Sequence, residues 1–134
     1  MSKLKKNIGI GAVIIALFLA LITVINQPTP VLSQTVQIAR GKTPVGNTAW
    51  RQYFVDGIFV DVDTSLAGFK TTPIYISSLG GESHWGTIGA TSIYDPTPTG
   101  FRVYVRYATG GSLTPAEANQ NRWHINWIAV PEEM

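Results

Sequence analysis

The chain has 134 residues, with ten Lys plus Arg, eight Asp plus Glu, two His and no Cys. That length fits one domain of ordinary size, the 45% apolar content excludes a disordered chain, and Gly and Pro without a fixed period exclude collagen. Charged residues make up 13%, against a usual share of roughly 25%, which excludes a coiled coil or a nucleic-acid coat.

Lys3, Lys5 and Lys6 precede an apolar run from Ile8 to Ile25, broken only by Gly9, Gly11 and Thr23. Eighteen helical residues span roughly 27 Å, close to the hydrocarbon thickness of a bilayer. A run apolar on every side is too large for a small domain to cover, so a buried core helix is excluded. Two readings stay open for residues 1–33. A signal peptide is cleaved after Ser33, with Val31 at −3, Ser33 at −1, and Pro28 and Pro30 breaking the helix just before. An uncleaved anchor instead holds the chain in the membrane through residues 8–25. In both cases the three lysines stay cytoplasmic and the rest crosses. Residues 34–134 are thus expected outside the cytoplasm, whether secreted, periplasmic, extracellular or anchored. Removing the three leader lysines turns the net charge of +2 into −1, with no basic stripe, so nucleic acid is not an expected partner. With no Cys, this domain must be held by its core alone and carries no lipidated thiol.

Beyond the leader, short β-favouring runs alternate with turn clusters. The strands are expected at Gln34 to Ala39, Ala49 to Phe54, Gly57 to Asp63, Pro73 to Leu79, Thr87 to Tyr94, Phe101 to Ala108 and Arg122 to Val130. Gly41 to Asn47 and Asp95 to Gly100 are expected as turn-rich connections. One helical turn is expected at Thr114 to Gln120, with Thr114 as N-cap, Pro115 at N1 and Glu117 at N3 completing a capping box. Together these predict an all-β fold, an antiparallel β-sandwich of about six to seven strands, preceded by the hydrophobic leader helix.

Strand alternation assigns faces. Phe101, Val103, Val105 and Tyr107 point one way, and Arg102, Tyr104 and Arg106 the other. Ile58, Val60 and Val62 separate likewise from Phe59, Asp61 and Asp63. The last strand sets Trp123, Ile125, Trp127 and Ala129 against His124, Asn126, Ile128 and Val130. Neither of its faces is wholly polar, which predicts a central strand or one buried in a subunit contact.

Few residues carry chemistry. Asp61-Val62-Asp63-Thr64-Ser65 resembles the start of a calcium loop, but Leu66 replaces the required Gly and Thr72 the closing Glu. On a strand Asp61 and Asp63 share a face, where they flank a cation or pair with Arg102 and Arg106 across strands. His84 and His124 lack metal-pair spacing, so no metal and no cofactor is expected. There is no Gly-x-Ser-x-Gly and no phosphate loop, so the reading is of a non-enzyme. A small hydrolase requires one cleft gathering Asp61, Asp63 and Glu82. The most informative segment is Gly80 to Gly86, where Glu82, His84 and Trp85 set hydrogen-bonding groups beside a flat apolar ring. Sugars are recognised by that combination. The competing reading folds Trp85 back to plug the end of the sandwich, and Trp50, Trp123 and Trp127 are expected in the core.

Three segments carry a resemblance: Gly68-Phe69 with Thr72-Pro73-Ile74-Tyr75, Gly100 to Tyr107, and Trp127-Ile128-Ala129. Through them, residues 55–130 resemble the H-type lectin fold and its lectin-like relatives in bacterial secreted and phage tail proteins. The resemblance implies a six-stranded antiparallel sandwich, assembly into trimers or larger homo-oligomers, and sugar bound at subunit boundaries, often N-acetylgalactosamine. Phe101 and Trp127 carry over as structural residues. The Gly80 to Gly86 loop and the Asp95 to Gly100 connector depart from the family pattern, and no sugar-binding position maps across. The function expected is an exported or surface-anchored carbohydrate-binding module. Its alternative is a structural subunit of an envelope, filament or phage-tail-like assembly.

Overall fold

A computed structural model describes residues 37–132. The leader, its hydrophobic helix and the first half of the first expected strand lie outside these described residues. Among the described residues, no helix is long and apolar enough to cross a membrane.

The chain forms β1 (Ala39–Lys42), β2 (Arg51–Tyr53), β3 (Gly57–Asp63), β4 (Ile74–Gly80), β5 (Thr87–Ile88), β6 (Tyr94–Thr97), β7 (Gly100–Tyr107) and β8 (His124–Val130). A short 3-10 turn covers Ser65–Ala67, and the one described α-helix, α1, covers Pro115–Gln120. Two antiparallel sheets result: β1-β8-β4, and β2-β3-β7-β5 with β6 also paired to β7. The fold is all-β and sandwich-like.

Alternation explains the core. Ile58, Val60 and Val62 of β3 and Phe101, Val103 and Val105 of β7 are buried, and β3 and β7 pair in register from Gly57↔Arg106 to Asp63↔Gly100. The three-stranded sheet closes over them with Tyr75, Ile125 and Ala129. Tyr75 packs on Phe101 across the layers with ring centroids 4.5 Å apart. Its hydroxyl donates to the Thr97 carbonyl and also bonds the buried Thr64 hydroxyl, each at 2.8 Å, so this inward Tyr leaves no orphaned polar atom. Trp123 is fully buried, and its indole N–H donates to the Glu82 carbonyl at 2.6 Å.

β8 is the central strand of its sheet, flanked by β1 and β4, with Ile125 and Ala129 buried on one face and Ile128 exposed on the other. Trp50 is buried too, and Trp127 packs against the core partly covered. The Thr114 hydroxyl caps α1 by accepting from the Glu117 N–H at 3.2 Å. The expected capping box is only half made, because the Glu117 carboxylate accepts from the Tyr107 hydroxyl at 2.6 Å. That bond raises the Tyr107 pKa above the usual phenol value.

Three boundaries differ from expectation. β1 runs into Gly41 and Lys42, pairing Lys42 with Asn126, where the sequence suggested a turn. The run at Thr87 to Tyr94 breaks after Ile88, because Gly89 takes φ +105 and the chain turns through Ser92. A Cβ on Gly89 would sit 2.3 Å from the Tyr104 carbonyl oxygen, so only glycine permits this approach. The expected connector at Asp95 to Gly100 instead contains β6. Proline usually breaks a strand, but β6 is an edge strand, where the missing N–H of Pro96 costs no ladder bond. A bulge between Tyr94 and Thr97 holds the extra residue, with Asp95 at φ 48. β5 and β6 thus pair with successive stretches of β7, near Tyr107 and near Gly100 respectively.

Candidate ligand-binding face

The outward residues of β2, β3 and β7 form two connected groups. In the first, Asp61 faces Arg102 directly across the strands. Arg102 donates through Nε to Oδ1 at 2.6 Å and through Nη2 to Oδ2 at 3.0 Å, a bidentate pair. Arg51 donates to the same carboxylate. Both guanidinium carbons lie 4.5 Å from the Phe59 ring centroid. The Arg102 bond, with Arg51 adding to it, holds the Asp61 carboxyl below the usual carboxylate range. Asp61 is therefore already occupied by two cations.

The second group is aromatic. Tyr104 on β7 contacts Tyr53 at 4.8 Å, Tyr94 at 4.9 Å and Phe59 at 5.6 Å between ring centroids, and Phe54 stands edge-on to Tyr53 at 4.6 Å. All of these rings but Phe59 wall an open groove of about 750 Å³, with Asp56, Ser92 and Arg106 as polar members of the lining and Ile88 and Gly89 at its β5 side. Phe54 takes φ 52 and is 74% exposed. Left-handed backbone is a genuine outlier for a bulky side chain, and such strain gathers at ligand-binding sites.

The segment Gly80 to Gly86 lies beside this groove. Its backbone is pinned: the Glu82 N–H donates to the Asn121 carbonyl at 2.9 Å, and the Ala108 N–H to the Gly86 carbonyl at 2.9 Å. The His84 carbonyl accepts from Thr87 Oγ1 at 2.7 Å. Gly81, at φ +123, lies so close to the Asn121 and Arg122 carbonyls that a Cβ would come within 2.8 Å of both. From this fixed base Trp85 projects with 92% of its surface exposed, so it does not plug the sandwich. Trp85 and His84 line a groove of about 380 Å³ that also includes Ile88 and Gly89. The two grooves therefore share the β5 residues and run side by side.

The expected site residues separate accordingly. His84 and Trp85 come together, whereas Glu82 lines neither groove and contributes backbone bonds beneath them. Asp63 does not pair with an arginine, because its Oδ1 accepts from the Ser65 N–H at 2.8 Å, which also lowers its pKa. Asp61 and Asp63 line a shallow surface with Asp95, away from Glu82, so the three carboxylates required for a hydrolase are not gathered. Arg106 enters the aromatic groove instead of the ion-pair cluster, and Arg51 takes the partner role assigned to it. Among the described residues, no group of three or more His, Asp or Glu could hold a metal ion.

Sequence reasoning missed Tyr53, Phe54, Asp56, Ser92 and Tyr94. Tyr104 was already legible as an outward ring. The bulge that turns Tyr94 toward it follows no sequence period. Compared with protein-family models, curated proteins and solved structures, the chain matches none.

Proposed function

We propose that residues 34–134 form an exported, non-catalytic, lectin-like module that binds an oligosaccharide along the outer face of the five-stranded sheet. One observation carries the reading: the exposed rings of Tyr53 and Tyr94 and the half-buried ring of Tyr104 wall an open groove beside Asp56, Ser92 and Arg106, and a second groove under Trp85 shares its β5 edge. Aromatic faces cover the C–H side of a pyranose, while a carboxylate, a hydroxyl and a guanidinium bond its hydroxyls. Adjacent grooves suit a ligand of more than one sugar unit. Export rests on Lys3, Lys5 and Lys6 ahead of the Ile8 to Ile25 run. The H-type lectin resemblance contributes the ligand class but no residue.

A glycan array tests the reading with the full chain, its Trp85→Ala variant and its Tyr104→Leu variant, alongside the mass in solution. Sugar binding weakened in both variants supports it. A large assembly with no sugar signal replaces it with the structural-subunit reading.

A further inference from the structure

The outer face of the three-stranded sheet has a different chemistry. Register alternation directs Ile74 and Ile76 of β4, Ile128 and Val130 of β8, and Arg40 and Lys42 of β1 outward. Ile76 stands opposite Ile128, and Ile128 opposite Arg40; Ile74 stands opposite Val130. Ile38, just before the inward Ala39, is exposed as well. Ile38, Ile74, Ile76 and Ile128 keep 64%, 52%, 59% and 44% of their surfaces in water. Together they present on the order of 400 Å², as large as the biggest apolar patch on an ordinary monomer. The rest of the face is His124, Asn126 and Ser78, with no carboxylate among its strand residues. Glu132 is the nearest acid in sequence, two residues beyond β8.

We infer that this face docks on a bilayer surface bearing anionic lipid headgroups. Isoleucines beside two lysine- or arginine-type cations are the composition that partitions into the headgroup boundary. A second copy would bring the same cations and no countercharge to the contact, since these strands carry no carboxylate, whereas an anionic headgroup layer supplies it. The sequence also supplies proximity. Residues 26–38 join the Ile8 to Ile25 run to the start of β1 at Ala39, and thirteen residues reach at most about 47 Å. A tether of that length holds the face at high effective concentration over the membrane, so a small patch suffices. This last step rests on the uncleaved-anchor reading of the leader, but not on sugar binding.

The chain has no Cys, so a single introduced thiol is unique. The full chain carrying Ile76→Cys, with Ile74→Cys as a second variant and Thr99→Cys in the exposed β6–β7 turn as control, is labelled with an environment-sensitive dye. It is reconstituted into phosphatidylcholine vesicles with and without phosphatidylglycerol, and flotation reports membrane attachment. Docking gives a severalfold rise and a blue shift at position 76 or 74 that grows with anionic lipid, and no change at 99. Adding Arg40→Glu and Lys42→Glu lowers the docking equilibrium constant on the order of thirtyfold, about fivefold for each cation before the added repulsion, and the fluorescence rise falls with it. Chains that float with the vesicles while positions 74 and 76 stay in water overturn the docking and keep the anchor. Chains that do not float overturn both. A concentration-dependent signal in lipid-free detergent overturns it in favour of a second copy. Glycan binding is read separately, so its failure leaves this result untouched.

Discussion

Replacing Tyr104 with Leu removes the ring at the centre of the outward aromatic group while keeping an aliphatic side chain on β7. Tyr104 makes three ring contacts, to Tyr53, Tyr94 and Phe59. At about 0.5 kcal/mol each, the low end for partly exposed pairs, their loss destabilises the domain by about 1.5 kcal/mol. In a domain of this size that lowers Tm by roughly 6 to 12 °C, readable by circular dichroism. The same ring is a wall of the groove, so its loss also removes a stacking surface, about 1.4 kcal/mol or roughly tenfold in Kd for a sugar ligand. Phe59→Leu separates the two effects. Phe59 contacts Tyr104 and Tyr53, and two arginines lie over its ring, but it does not line the groove. It is expected to destabilise by a similar amount and leave affinity unchanged. Calorimetric titration with the best array glycan gives the affinities. Equal loss of affinity in both variants, or none in Tyr104→Leu, would refute the assignment of the groove.

Three further outcomes follow from the geometry. Asp61 has its pKa lowered in the fold, so its contribution is present above the ordinary carboxylate range and is lost as pH falls through the folded value, below about pH 4. Because both partners are partly exposed, that contribution is under about 1 kcal/mol. Urea midpoints of wild type and Asp61→Asn should therefore differ slightly at pH 6 and converge near pH 2. Gly89→Ala forces a Cβ against the Tyr104 carbonyl at a left-handed backbone position, and a loss of more than about 2 kcal/mol is expected by urea titration. Phe54→Gly relieves backbone strain of about 1 to 2 kcal/mol but gives up the Tyr53 contact, worth about 1 kcal/mol. Its stability should stay within about 1 kcal/mol of wild type while glycan affinity falls; unchanged affinity would place Phe54 outside the site.

How much was legible depended on whether a residue obeys the strand period. β3 and β7 alternate without interruption, so their boundaries and buried faces followed from sequence, whereas for β8 the sequence left a central strand and a subunit contact as alternatives. β6 was hidden because Pro96 and Pro98 read as loop, and only its place at a sheet edge makes a strand there possible. Arg51 was hidden for another reason: its partner Asp61 is reached through the pairing of β2 with β3, set by a hairpin whose turn contains the left-handed Phe54. The loop holding Trp85 was visible as a cluster of residue types. Its rigidity was not, because the bonds that fix it come from Asn121, Trp123 and Ala108, distant in sequence.

The strand order of the smaller sheet bears on when this chain can fold. β1 pairs with β8 at Ala39↔Ala129, and β4 pairs with the same strand, so neither has a neighbour in that sheet until His124–Val130 is available. β8 also supplies Ile125 and Ala129 to the core, and the preceding Trp123 completes it. A chain delivered from its N-terminus, by a ribosome or through a membrane pore, can pair β3 with β7 once residue 107 has emerged but cannot close the second layer until residues 124–130 follow. Closure of the fold is thereby tied to delivery of β8, and a chain truncated before residue 124 should remain open and protease-sensitive.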